Sequence, residues 1–333
     1  MKMKKDIDLL NGYKQHPPFV IEIEPTEGCN LGCSFCGLRG IREKGTKPWK
    51  FMSKKDAKII ATKIRESGWN SRICFCGHGE PTLNPDLLEI IKIFRKELPK
   101  NKFQLICNGY GFKHNIFDIN EFLRALEEIK FNDVIFDVYS ENGDWTAIDS
   151  ILDKHEIKVI GKDGESFNYA GKGMRIALYP IEVDDKVKIL RKMDNHCGAA
   201  APQDYSDKIV NKKCEKPFRY LFIRWDSFVC LCCDDFRGQY KIGSVLDYEK
   251  IEDLWNSSAF QAARIMLYSS SRRKLKPCYG CNYHSIRPGL LPDTSGRDKE
   301  VMPKELSKEV ENIFKKNYDE NGSTTIVIRK WEK

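Results

Sequence analysis

Two rhythms of apolar and polar positions alternate along the first half of the chain. The period-two run Phe19-Val-Ile-Glu-Ile-Glu24 predicts a strand that feeds a loop rich in Gly and Cys. Ser53-Lys-Lys-Asp56 has the pattern of a helix cap, and Ile59, Ile60 and Ile64 follow it at helical spacing. Further short strands are predicted at Arg72–Cys76, Phe103–Cys107, Val134–Val138, Ile157–Ile160 and Arg175–Tyr179. Between them, helical spacing marks Leu87, Leu88, Ile90, Ile91 and Phe94, then Phe122, Leu123, Leu126 and Ile129, and a short helix at Ile148–Leu152. Strand–helix alternation with short loops means a parallel sheet with right-handed crossovers. These strands are too few for a closed eight-stranded barrel, so the expected fold is α/β, a partial (β/α)6 TIM-like barrel over residues 19–194.

From about Asn195 the texture changes. A loop rich in Ala, Pro and Asp leads to Cys214, a hairpin-like stretch Tyr220–Asp235, helical patterns at Ile251–Trp255 and Phe260–Leu267, and then Cys278 and Cys281. This predicts a small C-terminal β-hairpin plus helix domain over 195–287. Residues 1–18 form an N-terminal segment, and 288–333 a polar C-terminal extension with one β-like run, Thr324–Arg329.

Composition narrows the class. Of 333 residues, 41% are hydrophobic and 31% charged, the balance of a soluble globular protein. No run approaches the roughly 20 apolar residues of a membrane helix, and the N-terminus has no apolar signal core, so a cytoplasmic protein is expected. The net charge of +8 is spread along the chain and does not by itself imply nucleic acid; the Lys/Arg runs read as solvated faces. Thirteen cysteines without an export signal argue for metal rather than disulfides.

Cys29-Asn-Leu-Gly-Cys33-Ser-Phe-Cys36 directly follows the first strand, at the mouth where active sites of β/α barrels collect. Three thiolates on one short loop suit three irons of a 4Fe–4S cube and leave the fourth iron open to a small chelating molecule. Gly28, Gly32 and Gly37 let the backbone wrap closely there. The competing reading is a structural zinc with His78 as fourth ligand, although structural zinc usually takes cysteines as two separated pairs. In the small domain, four of Cys214, Cys230, Cys232, Cys233, Cys278 and Cys281 would ligate a second cluster completely, or a structural zinc held by four cysteines. Cys74, Cys76 and Cys107 fall on strands and read as small core hydrophobes. Cys197, in His196-Cys-Gly198, is the leftover thiol and the candidate for reactivity.

The C-x3-C-x2-C pattern, with Phe35 before its last Cys, resembles the radical SAM superfamily. Further features match in order. Gly77-His-Gly-Glu80 resembles that family's GGE motif with His78 for the middle Gly, and Asn108-Gly109 ends the third strand in the family manner. Ser140 resembles the S-x-D-G position, although Glu141-Asn-Gly143 follows it, and Phe167-Asn-Tyr-Ala-Gly resembles an N-R-x-G stretch with Tyr169 for Arg. Ile223-Arg-Trp-Asp-Ser-Phe-Val-Cys-Leu-Cys-Cys-Asp-Asp resembles the hairpin of SPASM and twitch domains, with Ser227 for the usual Gly, and Cys278-x2-Cys281 completes that pattern.

The resemblance implies that Cys29, Cys33 and Cys36 hold a 4Fe–4S cluster that binds S-adenosylmethionine (SAM). Glu80 would take the SAM ammonium, with Gly77, Gly79 and Asn108 beside it, Ser140 at the ribose or carboxylate and Phe35 near the adenine. Cys214, Cys232, Cys278 and Cys281 would hold an auxiliary 4Fe–4S cluster of the one-cluster twitch type, Cys230 sitting in a strand and Cys233 unligated. The implied chemistry is reductive cleavage of SAM to a 5′-deoxyadenosyl radical, hydrogen abstraction from substrate, and a net oxidation, such as a dehydrogenation or crosslink, completed by the auxiliary cluster. A flavodoxin- or ferredoxin-type donor would supply the electron. With only residues 1–18 ahead of the first strand, no separate leader-binding domain is expected, and the expected substrate is a small molecule, nucleotide or carbohydrate, or a peptide delivered by another protein. The alternative is a non-enzymatic zinc- or iron–sulfur-stabilised module that binds nucleic acid.

Overall fold

The computed structural model describes residues 15–33, 35–40, 48–139, 158–163, 166–170, 173–181, 196–200, 214, 216–268, 272 and 275–283. In chain order the elements are β1 (Val20–Ile23), β2 (Thr26–Glu27), β3 (Lys50–Phe51), α1 (Lys54–Glu66), β4 (Arg72–Phe75), α2 (Leu87–Glu97), β5 (Phe103–Cys107), α3 (Tyr110–Lys113), α4 (Ile119–Glu128) and β6 (Asp133–Tyr139). There follow β7 (Lys158–Asp163), β8 (Ser166–Ala170), β9 (Arg175–Ile181), α5 (Lys216–Arg219), β10 (Tyr220–Ile223), β11 (Phe228–Cys230), β12 (Lys241–Ser244), α6 (Ile251–Trp255) and α7 (Ser258–Tyr268). The predicted helix Ile148–Leu152, Ser140, and the run Thr324–Arg329 lie outside the described residues.

One ten-stranded sheet carries β12-β11-β10-β1-β4-β5-β6-β9-β8-β7 in that order, and β2 pairs with β3 separately. Six neighbouring strands, β10, β1, β4, β5, β6 and β9, are parallel, as in an incomplete barrel. Their membership corrects the expected alternation. The predicted fifth strand is β7, which pairs antiparallel with β8, Asp163 opposite Ser166, and so forms a hairpin at the sheet's end. The sixth parallel strand comes instead from the predicted small domain: β10 docks on β1 with Val20 opposite Tyr220.

Side-chain alternation on these strands separates two faces. Ile21, Ile23, Ile73, Phe75, Phe103, Leu105, Val134 and Phe136 face a buried core shared with the helices. α1 starts where Ser53 accepts a hydrogen bond from the Asp56 N–H (3.0 Å), buries Ala57, Ile60, Ala61 and Ile64, and stops ahead of Gly68 (φ 69°). α2 buries Leu87, Ile90, Ile91 and Phe94; α4, capped by Asp118, buries Phe122, Leu123 and Leu126. The C-terminal segment joins the same core. Trp255 packs edge-on against Trp69 at 6.3 Å, and Lys63 Nζ donates to the carbonyl of Val245 (2.8 Å) and to that of Tyr248.

The opposite strand positions include Glu22, Glu24, Cys74, Cys76, Gln104, Asn108 and Asp137, alongside Val20, Ile106 and Ile135. Cys107 is a core residue, but Cys74 lies on this polar side, 3.4 Å from Gln104 Oε1, and Cys76 shares its face. The reading of all three as core hydrophobes holds for Cys107 and Cys74, both buried, while Cys76 is half-buried.

Candidate functional site

The loop after β2 carries Cys29, Cys33 and Cys36 at the C-terminal edge of β1 and β4. A close backbone contact fixes its start: Gly28 (φ 124°) forms an isolated bridge with Gly79, and the Glu80 N–H donates to the Gly28 carbonyl (2.9 Å). A Cβ on Gly79 would stand 2.3 Å from the Thr26 carbonyl oxygen, so only glycine fits. Cys29 Sγ accepts from the Leu31 N–H (3.3 Å) and from Asn108 Nδ2 (3.6 Å). Burial raises its pKa, and the nearby acidic groups Glu80, Cys36 and Cys33 add to the effect. Phe35 is buried in the same loop.

Glu80 follows β4, and its carboxylate is engaged on both oxygens. Oε1 accepts from the Thr82 N–H (3.0 Å) and from its hydroxyl; Oε2 accepts from the Asn108 N–H (2.6 Å). Glu80 thus ties the end of β5 to the turn after β4, and burial lifts its pKa to about 7. An ammonium would have to use the lone pairs these bonds leave. Gly77 (φ 137°) packs on Glu24, where a Cβ would meet Glu24 Cβ at 2.9 Å.

His78 does not point toward the three cysteines. Its Nε2 lies 2.6 Å from the Cys233 carbonyl oxygen, and its ring sits between Phe222 and Phe236, at 4.7 and 4.1 Å. Burial holds its pKa down to about 3, so the ring is neutral; a carbonyl only accepts, which assigns the proton to Nε2.

The second set of cysteines gathers below the hairpin β10–β11. Cys197, Cys214, Cys232, Cys278 and Cys281 line one pocket with Arg272. Cys214 N–H donates to the Leu267 carbonyl (3.2 Å), Cys278 N–H to Leu275 (2.8 Å), and Tyr283 N–H to Cys281 Sγ (3.4 Å). Cys230 and Cys233 are not among the lining residues. Cys230 is a β11 residue opposite Phe222, and the Cys233 thiol neighbours Glu22 and Lys216. The hairpin turn is kept without glycine: Ser227 takes φ 65° and its N–H donates to the Arg224 carbonyl (2.9 Å). The sequence marks Cys197 only as a leftover thiol. In the fold it lines the same pocket as Cys232 and Cys281, and these neighbouring thiols push its pKa up.

The two sites are joined directly. The Gly37 N–H, next to Cys36, donates to His196 Nδ1 (3.0 Å), and His196 precedes Cys197. The His78–Cys233 contact is a second tie. Arg224 bridges Glu24 and Glu27 at 3.6 and 2.5 Å, anchoring the hairpin to the strand that feeds the first loop.

Among the described residues, no three His, Cys, Asp or Glu side chains converge closely enough to hold a single ion. Each site is an all-thiol donor set, three thiols on one loop in the first and five around one pocket in the second. Such a set fits a cluster whose irons, rather than one ion, meet the sulfurs.

Comparisons agree with this donor chemistry. The profile of the radical SAM superfamily matches residues 23–159, and that of SPASM, an iron–sulfur cluster-binding domain, matches residues 214–282. A GTP 3′,8-cyclase of Pectobacterium atrosepticum is 26% identical over 98 residues, 29% of each chain. A probable GTP 3′,8-cyclase of Saccharolobus solfataricus is 36% identical over 93 residues, 28% of each chain. The chain thus spans less than a third of the length of these relatives. The crystal structure of BtrN in complex with AdoMet and 2-DOIA superposes with a TM-score of 0.60 at 21% identity, covering 82% of this chain and 96% of that one, a likeness of fold. Among the described residues, no helix is long and apolar enough to cross a membrane.

Proposed function

Because this chain belongs to the radical SAM superfamily and carries a C-terminal SPASM-type iron–sulfur domain, we propose that it is an oxidoreductase that removes a hydrogen atom and a further electron from a small polar substrate. The observation that carries this reading is the pair of ties, Gly37–His196 and His78–Cys233, that join the two thiol sites. A remote structural staple would need no such junction. Cys29, Cys33 and Cys36 would hold the SAM-binding cluster, and Cys214, Cys232, Cys278 and Cys281 the auxiliary one. When bound, these cofactors supply a 5′-deoxyadenosyl radical and a one-electron acceptor. The match to the radical SAM superfamily supports the enzyme reading over the non-enzymatic zinc module.

The chain's own residues orient substrate and exclude water. Glu22 and Asp137 stand on the polar face of the sheet, and burial raises both to about 7. One oxygen of Glu22 is buried without a hydrogen-bond partner. Carboxyls poised there can hydrogen-bond hydroxyls, pair with an amine, or take the proton that a net oxidation releases. They would repel a polyphosphate. This favours an amino- or hydroxyl-bearing small molecule; the match to GTP 3′,8-cyclases favours a second reading, cyclisation of a purine nucleotide. A flavodoxin- or ferredoxin-type donor in the reducing cytoplasm would complete the system.

The experiment is anaerobic reconstitution with iron and sulfide, followed by SAM and dithionite. Cys33→Ala is expected to abolish 5′-deoxyadenosine formation, and Cys281→Ala to spare uncoupled cleavage while stopping product. Deuterated amino-polyols should pass deuterium to 5′-deoxyadenosine; a cyclised product from GTP would replace this reading with the second one.

A further inference from the structure

Five thiols line the second pocket, and a 4Fe–4S cube offers four irons. Cys214, Cys232, Cys278 and Cys281 fall within the iron–sulfur-binding stretch 214–282; Cys197 lies upstream of it. Yet Cys197 is no bystander, since its side chain lines the same pocket as those of Cys232 and Cys281.

The backbone that presents it is held in a demanding conformation. His196, Cys197 and Gly198 have φ values of 46°, 53° and 80°. Glycine enters this left-handed region freely, but two successive side-chain-bearing residues stay there only where their surroundings over-determine them. Those surroundings are visible. His196 Nδ1 accepts from Gly37 (3.0 Å), its ring lies 4.5 Å from Phe236, and its carbonyl accepts from the Ala199 N–H (3.0 Å). His196 is thus a clip on the first cysteine loop that sets Cys197 against the second site.

We propose that Cys197 is an unligated fifth thiol of the auxiliary site, a positioning residue whose S–H donates to one of the neighbouring ligating sulfurs, Cys232 or Cys281, and makes the cluster easier to reduce. A hydrogen bond to a cluster sulfur draws off negative charge, and an added electron then meets less repulsion. No bond is made or broken, and the thiol keeps its proton. The inference rests on the reading that this site holds a 4Fe–4S cluster.

The test uses the full chain with Cys29, Cys33 and Cys36 all replaced by Ala, so that only the auxiliary site is loaded, reconstituted anaerobically with ferrous iron and sulfide. Iron and sulfide are counted per chain, and the midpoint potential is read by electron paramagnetic resonance during a dithionite titration. Adding Cys197→Ala is expected to leave the iron count unchanged and to move the midpoint to a more negative value. Cys197→Ser keeps a donor with a shorter reach and is expected to move it less, in the same direction. It also keeps the test open should the Ala variant fold poorly. An unmoved midpoint in both variants overturns the proposal, as does loss of iron in both, which would make Cys197 a ligand. A parent protein that takes up no iron would instead remove the cluster reading itself, and the proposal with it.

Discussion

His78 Nε2 stands 2.6 Å from the carbonyl oxygen of Cys233, so the turn that carries Glu80 is bonded to the segment that carries Cys232. A neutral, buried imidazole with aromatic rings on both sides is a permanent tie rather than a pH switch. His78→Ala would leave the Cys233 carbonyl without its donor and open a void beside Phe222 and Phe236. The expected cost is about 2–4 kcal/mol, read as a shift in the urea midpoint. Iron in the auxiliary site should also pass to a chelator faster than in the parent; an unchanged transfer rate would show that this tie does not hold the second site together.

Gly79 is the tightest point of the first loop. In Gly79→Ala the Cβ would meet backbone oxygens of Thr26 and Gly28 at 2.3 and 2.5 Å, and backbone cannot step aside as a side chain can. The Gly28–Gly79 bridge should open and the iron count fall by one cluster, with far-ultraviolet circular dichroism preserved. Gly280→Ala is the control: its nearest neighbour would be Gly198 Cα at 3.9 Å, and full iron loading is expected.

Ser227→Gly should stabilise the protein. Ser227 is fully buried at φ 65° with its hydroxyl unpartnered, so the native state carries both backbone strain and an unsatisfied polar group. Left-handed strain costs roughly 1–2 kcal/mol, and glycine's extra unfolded-state freedom returns part of it. A net gain of about 1 kcal/mol in chemical denaturation is expected, and a loss would mean that the hydroxyl has a role in the hairpin.

Glu22 gives a pH dependence of defined sign. Burial raises its pKa from 4.5 to about 7, against the opposing hydrogen bond to Cys233 and the charge of Lys216. The folded chain therefore keeps a proton that the unfolded chain releases. This contribution is complete below pH 4.5 and is lost as pH rises through about 7. Unfolding free energies measured anaerobically from about pH 5 to 8 should fall more steeply with pH in the parent than in Glu22→Gln, by at most about 1.4 kcal/mol per pH unit. Parallel curves would place the titrating group elsewhere.

Alternation and helical spacing were enough to locate β1, β4, β5, β6 and β9 and the helices behind them, because one face of each must be apolar to reach a core. The spacing of Cys29, Cys33 and Cys36 likewise pointed to a cluster, since the three candidate ligands come from one loop. What alternation cannot specify is which strand lies beside which. Only the assembled sheet shows that β10 leaves its predicted domain to pair with β1, and that β7 turns back on β8 as a hairpin. The gathering of Cys197, Cys232 and Cys281 around one pocket, and the contact of His78 with Cys233, join residues 35 to 155 positions apart, and no local pattern encodes so distant a meeting. Burial on the opposite face was equally hidden: nothing in the alternation of β1 and β6 marks Glu22 and Asp137 as acids that lose their water in the fold.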